Sequence, residues 1–452
     1  MASAWPATPV GGEPISAVQR IGRPSLNVWW ISQYASTPDQ QFTTQYDLAR
    51  QLADKGHRVT FFAAGFSHYK FKEIRLKPGE GWREEQSGGV RFVWLRTPSY
   101  RANDWRRAVN MVSFAWRAYR LARRWKERPD VVIGTTFHPL SSLSAYGVAR
   151  SKRVPFVFEV KDLWPLTMVE FGRLSPTSPL AVFLRLLEKF LARNAARIMT
   201  TLPGAVDYYS RLGVPRNKIV WIPNGLVLSR YEALKPYTGE ISSPCRLVYA
   251  GGHVEAFPLG IILRAARIEQ ENKNRVRFTF VGGGQDKAKL VEMAQKLELR
   301  NVEFQDAVPK SELHRILEDA DGFVLTMRDL PGLYRYGTSF NKLCDYTAAG
   351  RPILFAGHTS YNVVDEFKCG IVVPPEDPAA FSAAIQKFLA LSARERAEMG
   401  RNALRCARER FDINLLGFRL EQMILSIRQE QDHSQMPETG PSVPYRSREA
   451  TQ

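Results

Sequence analysis

The sequence predicts an α/β chain built from two doubly wound domains that face each other across a cleft. Short apolar runs of strand length alternate with helical patterns along the 452 residues, and the alternation occurs twice. In the second half, glycines directly follow two of the strand runs. Strands separated by helices build parallel sheets with both faces covered.

Residues 1–24 are rich in Pro, Gly, Ala and Ser and read as a disordered arm. The first domain is expected over 25–225. It opens on Leu26-Asn27-Val28-Trp29-Trp30-Ile31, the length of a buried strand. A helical stretch runs from about 43 to 54, and Gly56 stands where that helix should stop. Further strands are expected at 58–62, 90–95, 130–134, 154–160 and 197–201, with helices over 105–128, 141–150 and 178–195. A linker over 226–244 leads into a second domain over 245–411. Its strands are expected at 245–250, 278–281, 302–304, 322–325 and 352–355. A helix over 412–430 lies beyond it, and the polar stretch 431–452, with three prolines, reads as a disordered tail.

Composition narrows the function classes. With 44% hydrophobic residues the chain is neither disordered nor fibrous. Its cysteines, Cys245, Cys344, Cys369 and Cys406, lie far apart with no CxxC pair, which excludes a disulfide framework and a zinc ribbon. No apolar run reaches the roughly 18 residues of a membrane span. Residues 1–24 lack the charged and apolar regions of a secretory leader, so a cytoplasmic location is expected. The net charge is +18, and it is concentrated: residues 1–240 hold 35 basic and 18 acidic groups, the remainder 28 and 27. So basic a first half should meet an anionic partner.

Several residues are placed where chemistry gathers. Gly251-Gly252 and Gly282-Gly283-Gly284 follow strands, and glycine lets backbone N–H groups approach phosphate oxygens. Neither completes GxGxxG, so a plain strand-to-helix turn explains each equally well. The segment from Tyr334 to Tyr346 is more distinctive: a loop with Arg335, Gly337 and Ser339 enters a helix carrying Asn341, Lys342 and Asp345. Two cations at a helix start suit a diphosphate, and Asp345 can accept from ribose hydroxyls. His138 lies just past a strand, at the edge where open sheets bind ligands. Glu159, Lys161 and Asp162 also follow a strand, as substrate contacts or as a mutual salt-bridge cluster. Asp319-Ala320-Asp321 mimics a metal-binding DxD but reads as a surface turn, and the histidines lack metal spacing, so no metal is implied. Between residues 100 and 129, Arg117, Arg120, Arg123 and Arg124 are interleaved with Trp105, Trp116 and Trp125. Such a helix lies at an anionic lipid surface, or packs its aromatic face into the core. No RNA-binding signature accompanies it, so nucleic acid is not expected as a partner.

From Leu26 to about Leu425 the chain resembles the retaining family 4 glycosyltransferases of GT-B fold. Within them it is similar to the bacterial surface-polysaccharide branch that includes N-acetyl-L-fucosaminyl transferases of O-antigen synthesis. The resemblance is carried by Gln33-Tyr34-Ala35-Ser36-Thr37-Pro38, Gly65-Phe66-Ser67-His68, 158–165 and Ile222-Pro223-Asn224-Gly225. In the second half it is carried by 249–253, 334–343 and Ala348-Ala349-Gly350-Arg351-Pro352. It implies two Rossmann-like domains, a last helix returning to the first of them, and no cofactor. The donor would be a nucleotide-diphospho-sugar, usually a UDP-sugar. The acceptor would be a lipid-linked glycan at the inner face of the cell membrane, in O-antigen, capsule or exopolysaccharide synthesis. By resemblance Gly251, Gly252 and Gly283 line the donor phosphates and Arg335 and Lys342 neutralise the leaving UDP. Asp345 takes the ribose, Val308 the base, and His138 lies near the reacting carbon. Three positions depart from the family pattern: Gly337 replaces the usual Glu, Lys161 replaces Arg, and the loop over 39–45 lacks the usual glycines and Arg. A nucleotide-sugar epimerase of the same fold and a non-catalytic sugar-nucleotide or nucleic-acid binder are the competing readings.

Overall fold

The computed structural model describes residues 25–40, 43–68, 70–101 and 104–435. The expected arm over 1–24 and residues 436–452 of the expected tail lie outside the described residues. The first sheet has eight strands in the order Ile219–Trp221, Arg197–Thr200, Phe156–Val160, Val131–Thr135, Asn27–Ile31, Arg58–Ala64, Val90–Leu95 and Trp82–Ser87. All pair in parallel except Trp82–Ser87, which lies antiparallel on the edge. That edge strand has no apolar run and escapes pattern reading. Winding reverses beside Asn27–Ile31, between its two parallel neighbours.

Buried parallel strands are apolar on both sides. Trp29, Ile31 and Phe62 face the helices Trp105–Arg124, Pro139–Lys152 and Pro179–Asn194. Val28, Trp30 and Phe61 face the Thr44–Asp54 helix and the last helix, Ile413–Gln435. The last helix therefore does return to the first domain, burying Leu416, Leu420, Met423, Ile424 and Ile427 there. Its Glu421 meets Lys55 at 2.6 Å and His57 at 3.4 Å. Burial raises that carboxyl, but His57 and Lys55 outweigh it and hold it down at about 2. The helix passes its expected end at 430 and runs to Gln435, so residues 431–435 are helical rather than tail. An Arg428–Asp432 pair at 3.2 Å, one turn apart, supports those last turns.

The second sheet is wholly parallel, in the order Val302–Gln305, Val276–Val281, Cys245–Ala250, Gly322–Thr326, Ile353–Ala356 and Gly370–Val373. Its winding reverses between Cys245–Ala250 and Gly322–Thr326. The segment 226–244, expected as a linker, is packed. Leu226 pairs with Asp412 in a parallel bridge, Tyr231 is buried, and Arg230 meets Asp47 of the first domain at 2.6 Å. Asp321, expected in a surface turn, is buried and accepts from the N–H groups of Arg246 at 2.7 Å and Ser242 at 3.1 Å, tying the start of a core strand.

Candidate active site

Open α/β sheets bind ligands at the carboxyl ends of strands, where the winding reverses. Loops from those ends of both sheets meet each other. The Gly204 N–H donates to the Tyr336 carbonyl at 2.9 Å, and Asn224 donates to the Ser339 carbonyl at 2.8 Å. Arg173 of the first domain bonds Glu255 of the second at 2.7 Å, and Arg328 grips the other oxygen of Glu255 at 2.6 Å. The two reversal points thus share one cleft.

On the second-domain side, the strand ending at Ala250 turns at Gly251, where φ is +150°, and its N–H donates to the Val281 carbonyl at 2.9 Å. A Cβ on Gly251 would stand 2.1 Å from Lys342 Cε, whereas one on Gly283 would meet nothing within 4 Å. Glycine is therefore needed at 251 so that Lys342 can cross the turn, and Gly283 faces open space. The Lys342 ammonium lies 3.4 Å from the centre of the Phe257 ring and 5.3 Å from that of Tyr249. Among the described residues it makes no ion pair. Burial pushes its pKa down to about 7, with Asp345 opposing the shift. We expect Gly251→Ala to displace Lys342 and weaken nucleotide binding by about tenfold, roughly 1.4 kcal/mol, in a calorimetric titration. Unchanged affinity would detach Lys342 from the site.

Arg335 is exposed beside the domain seam and stacks on Tyr336, whose ring packs into the first domain. Asn341 opens the Asn341–Ala349 helix and is exposed; Val308 is half-buried against the second core. Three donor-site expectations meet different surroundings. Gly337, at φ +89°, packs so closely on Pro203 that a Cβ would stand 2.6 Å from its ring, a domain contact. Ser339 is engaged by Asn224 through both its hydroxyl and its carbonyl. Asp345 is buried and accepts a hydrogen bond from the Tyr231 hydroxyl, so its carboxylate is not simply open for a ribose.

On the first-domain side, His138 lies at the reversal point but is buried. Its Nδ1 accepts from the Ser141 N–H at 3.3 Å, capping the Pro139–Lys152 helix, and its Nε2 bonds the Gln33 side-chain oxygen. Burial, aided by Arg107, lowers its pKa to about 3, so the ring stays neutral. Both nitrogens being occupied, His138 reaches a substrate only through Gln33, which continues to Asn110 at 2.5 Å. Gln33 also lines a cavity of about 230 Å³ with Tyr34, His68, Arg75 and Trp94. Glu159 is no cleft contact. Fully buried, it accepts on Oε2 from Trp30 at 2.7 Å, Gln45 at 2.6 Å and Thr135 at 2.5 Å, while Oε1 pairs with Lys161 at 2.8 Å. The salt-bridge alternative therefore holds for Glu159 and Lys161. Asp162 is different: it is exposed, directly after Lys161 beyond the end of the Phe156–Val160 strand.

Two groups were not singled out by pattern. His253 is fully buried beside the glycine turns, and both ring nitrogens lack a partner among the described residues. Lys287 ties the second turn, bonding the carbonyls of Gly282 at 3.1 Å and Gln305 at 2.9 Å and the Asp306 carboxylate at 2.7 Å. A His directly after Gly251-Gly252 was the available signal for the first; nothing local marks the second.

Away from the cleft, Trp105, Val109, Val112 and Trp116 form an exposed apolar stripe along the Trp105–Arg124 helix, with Trp105 69% and Trp116 60% exposed. Arg117, Arg120, Arg123 and Arg124 are exposed on the same helix. Trp125, expected at the surface with them, packs edge-on against Phe62 at 5.9 Å and Trp82 at 5.3 Å. The Pro179–Asn194 helix, on the same side of the sheet, exposes Leu180, Phe183, Leu186 and Phe190. No helix among the described residues is long and apolar enough to cross a membrane.

Two facing Rossmann-like domains with a returning last helix are the arrangement of the GT-B fold, which glycosyltransferases share. The chain belongs to these glycosyltransferases: residues 43–225 match the glycosyl transferase 4-like domain and residues 245–390 the glycosyl transferases group 1 domain. It is 26% identical over 291 residues to an Escherichia coli protein with the provisional name colanic acid biosynthesis glycosyl transferase WcaI, covering 58% of this chain and 68% of that one. Among solved structures, sucrose-phosphate synthase from Thermosynechococcus elongatus superposes with a TM-score of 0.70 at 16% identity, covering 90% of this chain and all of that one. Anabaena HepE in complex with UDP and glucose gives 0.61 at 13% identity, covering 89% of this chain and 100% of the other. WaaG, a glycosyltransferase involved in lipopolysaccharide biosynthesis, gives 0.62 at 14% identity, covering 88% and 99%.

Proposed function

We propose that the chain is a retaining family 4 glycosyltransferase, related to the fucosaminyl branch. It moves a sugar from a nucleotide-diphospho-sugar, a UDP-sugar, to a lipid-linked glycan in cell-surface polysaccharide synthesis. The observation that carries this is Lys342, held across Gly251 at the second domain's reversal point with no ion-pair partner among the described residues. A diphosphate is the natural counter-charge there. The colanic acid relative and the HepE complex support the same substrate class. Gly251, Gly252 and Gly283 would receive the phosphates, beside the buried His253 ring, whose nitrogens have no partner among the described residues.

Reaction breaks the bond between the sugar's anomeric carbon and the β-phosphate oxygen, and the electron pair leaves with UDP. Lys342 and Arg335 are fixed charges that stabilise this leaving group, a task that requires no metal. The acceptor hydroxyl bonds the same carbon from the face UDP leaves. Its proton passes to the departing phosphate oxygen, so configuration is retained and no separate base is needed. The cavity beside Gln33 would hold the acceptor sugar, and Asp162 borders the cleft between the two substrates.

The acceptor's lipid requires a membrane-facing surface, and the exposed stripe and arginines of the Trp105–Arg124 helix supply one, with the Pro179–Asn194 helix on the same side of the sheet. The enzyme would thus work peripherally at the inner face of the cell membrane. Vesicles containing phosphatidylglycerol should co-sediment the wild type and lose a variant with Arg117, Arg120, Arg123 and Arg124 changed to Glu. Salt-sensitive RNA binding without vesicle binding would refute that part. For the activity, a panel of UDP-, GDP- and dTDP-sugars should raise the melting temperature for one nucleotide class. No shift with any of them defeats the reading, and UDP release without acceptor indicates an epimerase instead.

A further inference from the structure

The Trp105–Arg124 helix and the first sheet's antiparallel edge enclose an open groove of about 330 Å³. Trp82, Leu95, Trp116 and Leu121 give it an apolar lining, and Arg117, Arg120 and Arg124 are set among them. The arginines stand at positions three, four and seven apart, which places them along one face of the helix. Among the described residues Arg117 bonds the Ser113 hydroxyl, at 3.3 Å, and none of the three arginines has a carboxylate partner. None of the groove's lining residues belongs to the loops through which the domains meet. It is therefore separate from the donor cleft.

We propose that this groove binds one acidic glycerophospholipid taken from the bilayer, with its phosphate on the three guanidinium groups and an acyl chain along the Trp82–Leu121 lining. Arginine suits a phosphate because its planar fork bonds two oxygens at once. Exposed tryptophans beside it match the boundary between headgroup and acyl chain. The apolar lining would be wasted on inorganic phosphate or a nucleotide. The groove also joins the exposed Trp105-Val109-Val112-Trp116 stripe at Trp116, so a lipid enters it directly from a membrane on which that stripe rests. The proposal rests on the membrane-docking reading and gives it a discrete site.

The test titrates the full chain with short-chain phosphatidylglycerol kept below its micelle concentration, by calorimetry, against phosphatidylcholine of the same chain length. Saturable binding of one phosphatidylglycerol, about tenfold or more tighter than phosphatidylcholine, is expected. Arg120→Gln with Arg124→Gln should weaken it by a similar factor, and Trp82→Ala should weaken it while the melting temperature of the arginine variant stays at the wild-type value. Equal binding of both lipids, binding of inorganic phosphate alone with the same affinity, or tighter binding of farnesyl phosphate would each overturn the assignment. Vesicle capture without monomer binding would overturn the groove and spare the docking surface. Monomer binding without vesicle capture would sustain the groove and defeat the docking surface.

Discussion

Lys342→Met should lower turnover by about a hundredfold or more, as loss of a fixed charge at a leaving group does, and should also raise the melting temperature of the unliganded protein. The two effects have one cause. Burial against Phe257 and Tyr249 brings the Lys342 pKa from 10.5 down to about 7. The unfolded chain therefore binds this proton more readily than the folded one, and stability rises with pH between about 7 and 10. Below about 7 the folded protein carries an ammonium held away from water, and a methionine removes that desolvation cost. A bound diphosphate reverses the balance by favouring the charged form. Nucleotide binding near pH 8 should thus take up a proton, visible as a dependence of calorimetric enthalpy on the buffer's ionisation heat. Near-normal turnover in the variant, or no proton uptake, would discard the assigned site.

Glu159→Ala should cost about 3–5 kcal/mol in denaturant unfolding, the range for breaking a buried ion pair from one side. The substitution strands Lys161 without its 2.8 Å partner and leaves the donors of Trp30, Gln45 and Thr135 unanswered at the centre of the first sheet. Glu159→Gln keeps an acceptor for those donors and should cost less, while still exposing Lys161. If alanine is tolerated with less than about 1 kcal/mol lost, the carboxylate is not the organising group at the centre of that sheet.

Pattern reading found the fold because both large sheets, apart from one antiparallel edge strand, are parallel and buried. Runs such as Cys245-Arg246-Leu247-Val248-Tyr249-Ala250 declare themselves by apolarity and end in glycine. It missed the Trp82–Ser87 strand because an edge strand in solvent needs no apolar run, its Trp82, Arg83 and Glu84 all being exposed. The Lys342–Gly251 contact was half legible. Each residue was marked by its own loop, but their crossing joins elements far apart in the chain. Glu159, His138, Ser339 and Trp125 show what local position leaves out. Each follows or flanks an element as a functional residue would, and each is taken up by long-range partners such as Trp30, Gln33, Asn224 and Phe62. Asp345 was placed by its helix, while Tyr231, which binds it, comes from the segment read as a linker.

The bridge between Leu226 and Asp412 has a mechanical consequence. The chain passes from one domain to the other twice, and both passages are stitched side by side: the Leu226 N–H donates to Phe411, and the Ile413 N–H donates to Leu226. Two crossings joined by backbone hydrogen bonds hold the domains by one strip of chain rather than by two independent linkers. Any movement that separates the domains must first break the contacts at Gly204, Asn224 and Arg173, while the paired crossings and the returning helix stay joined.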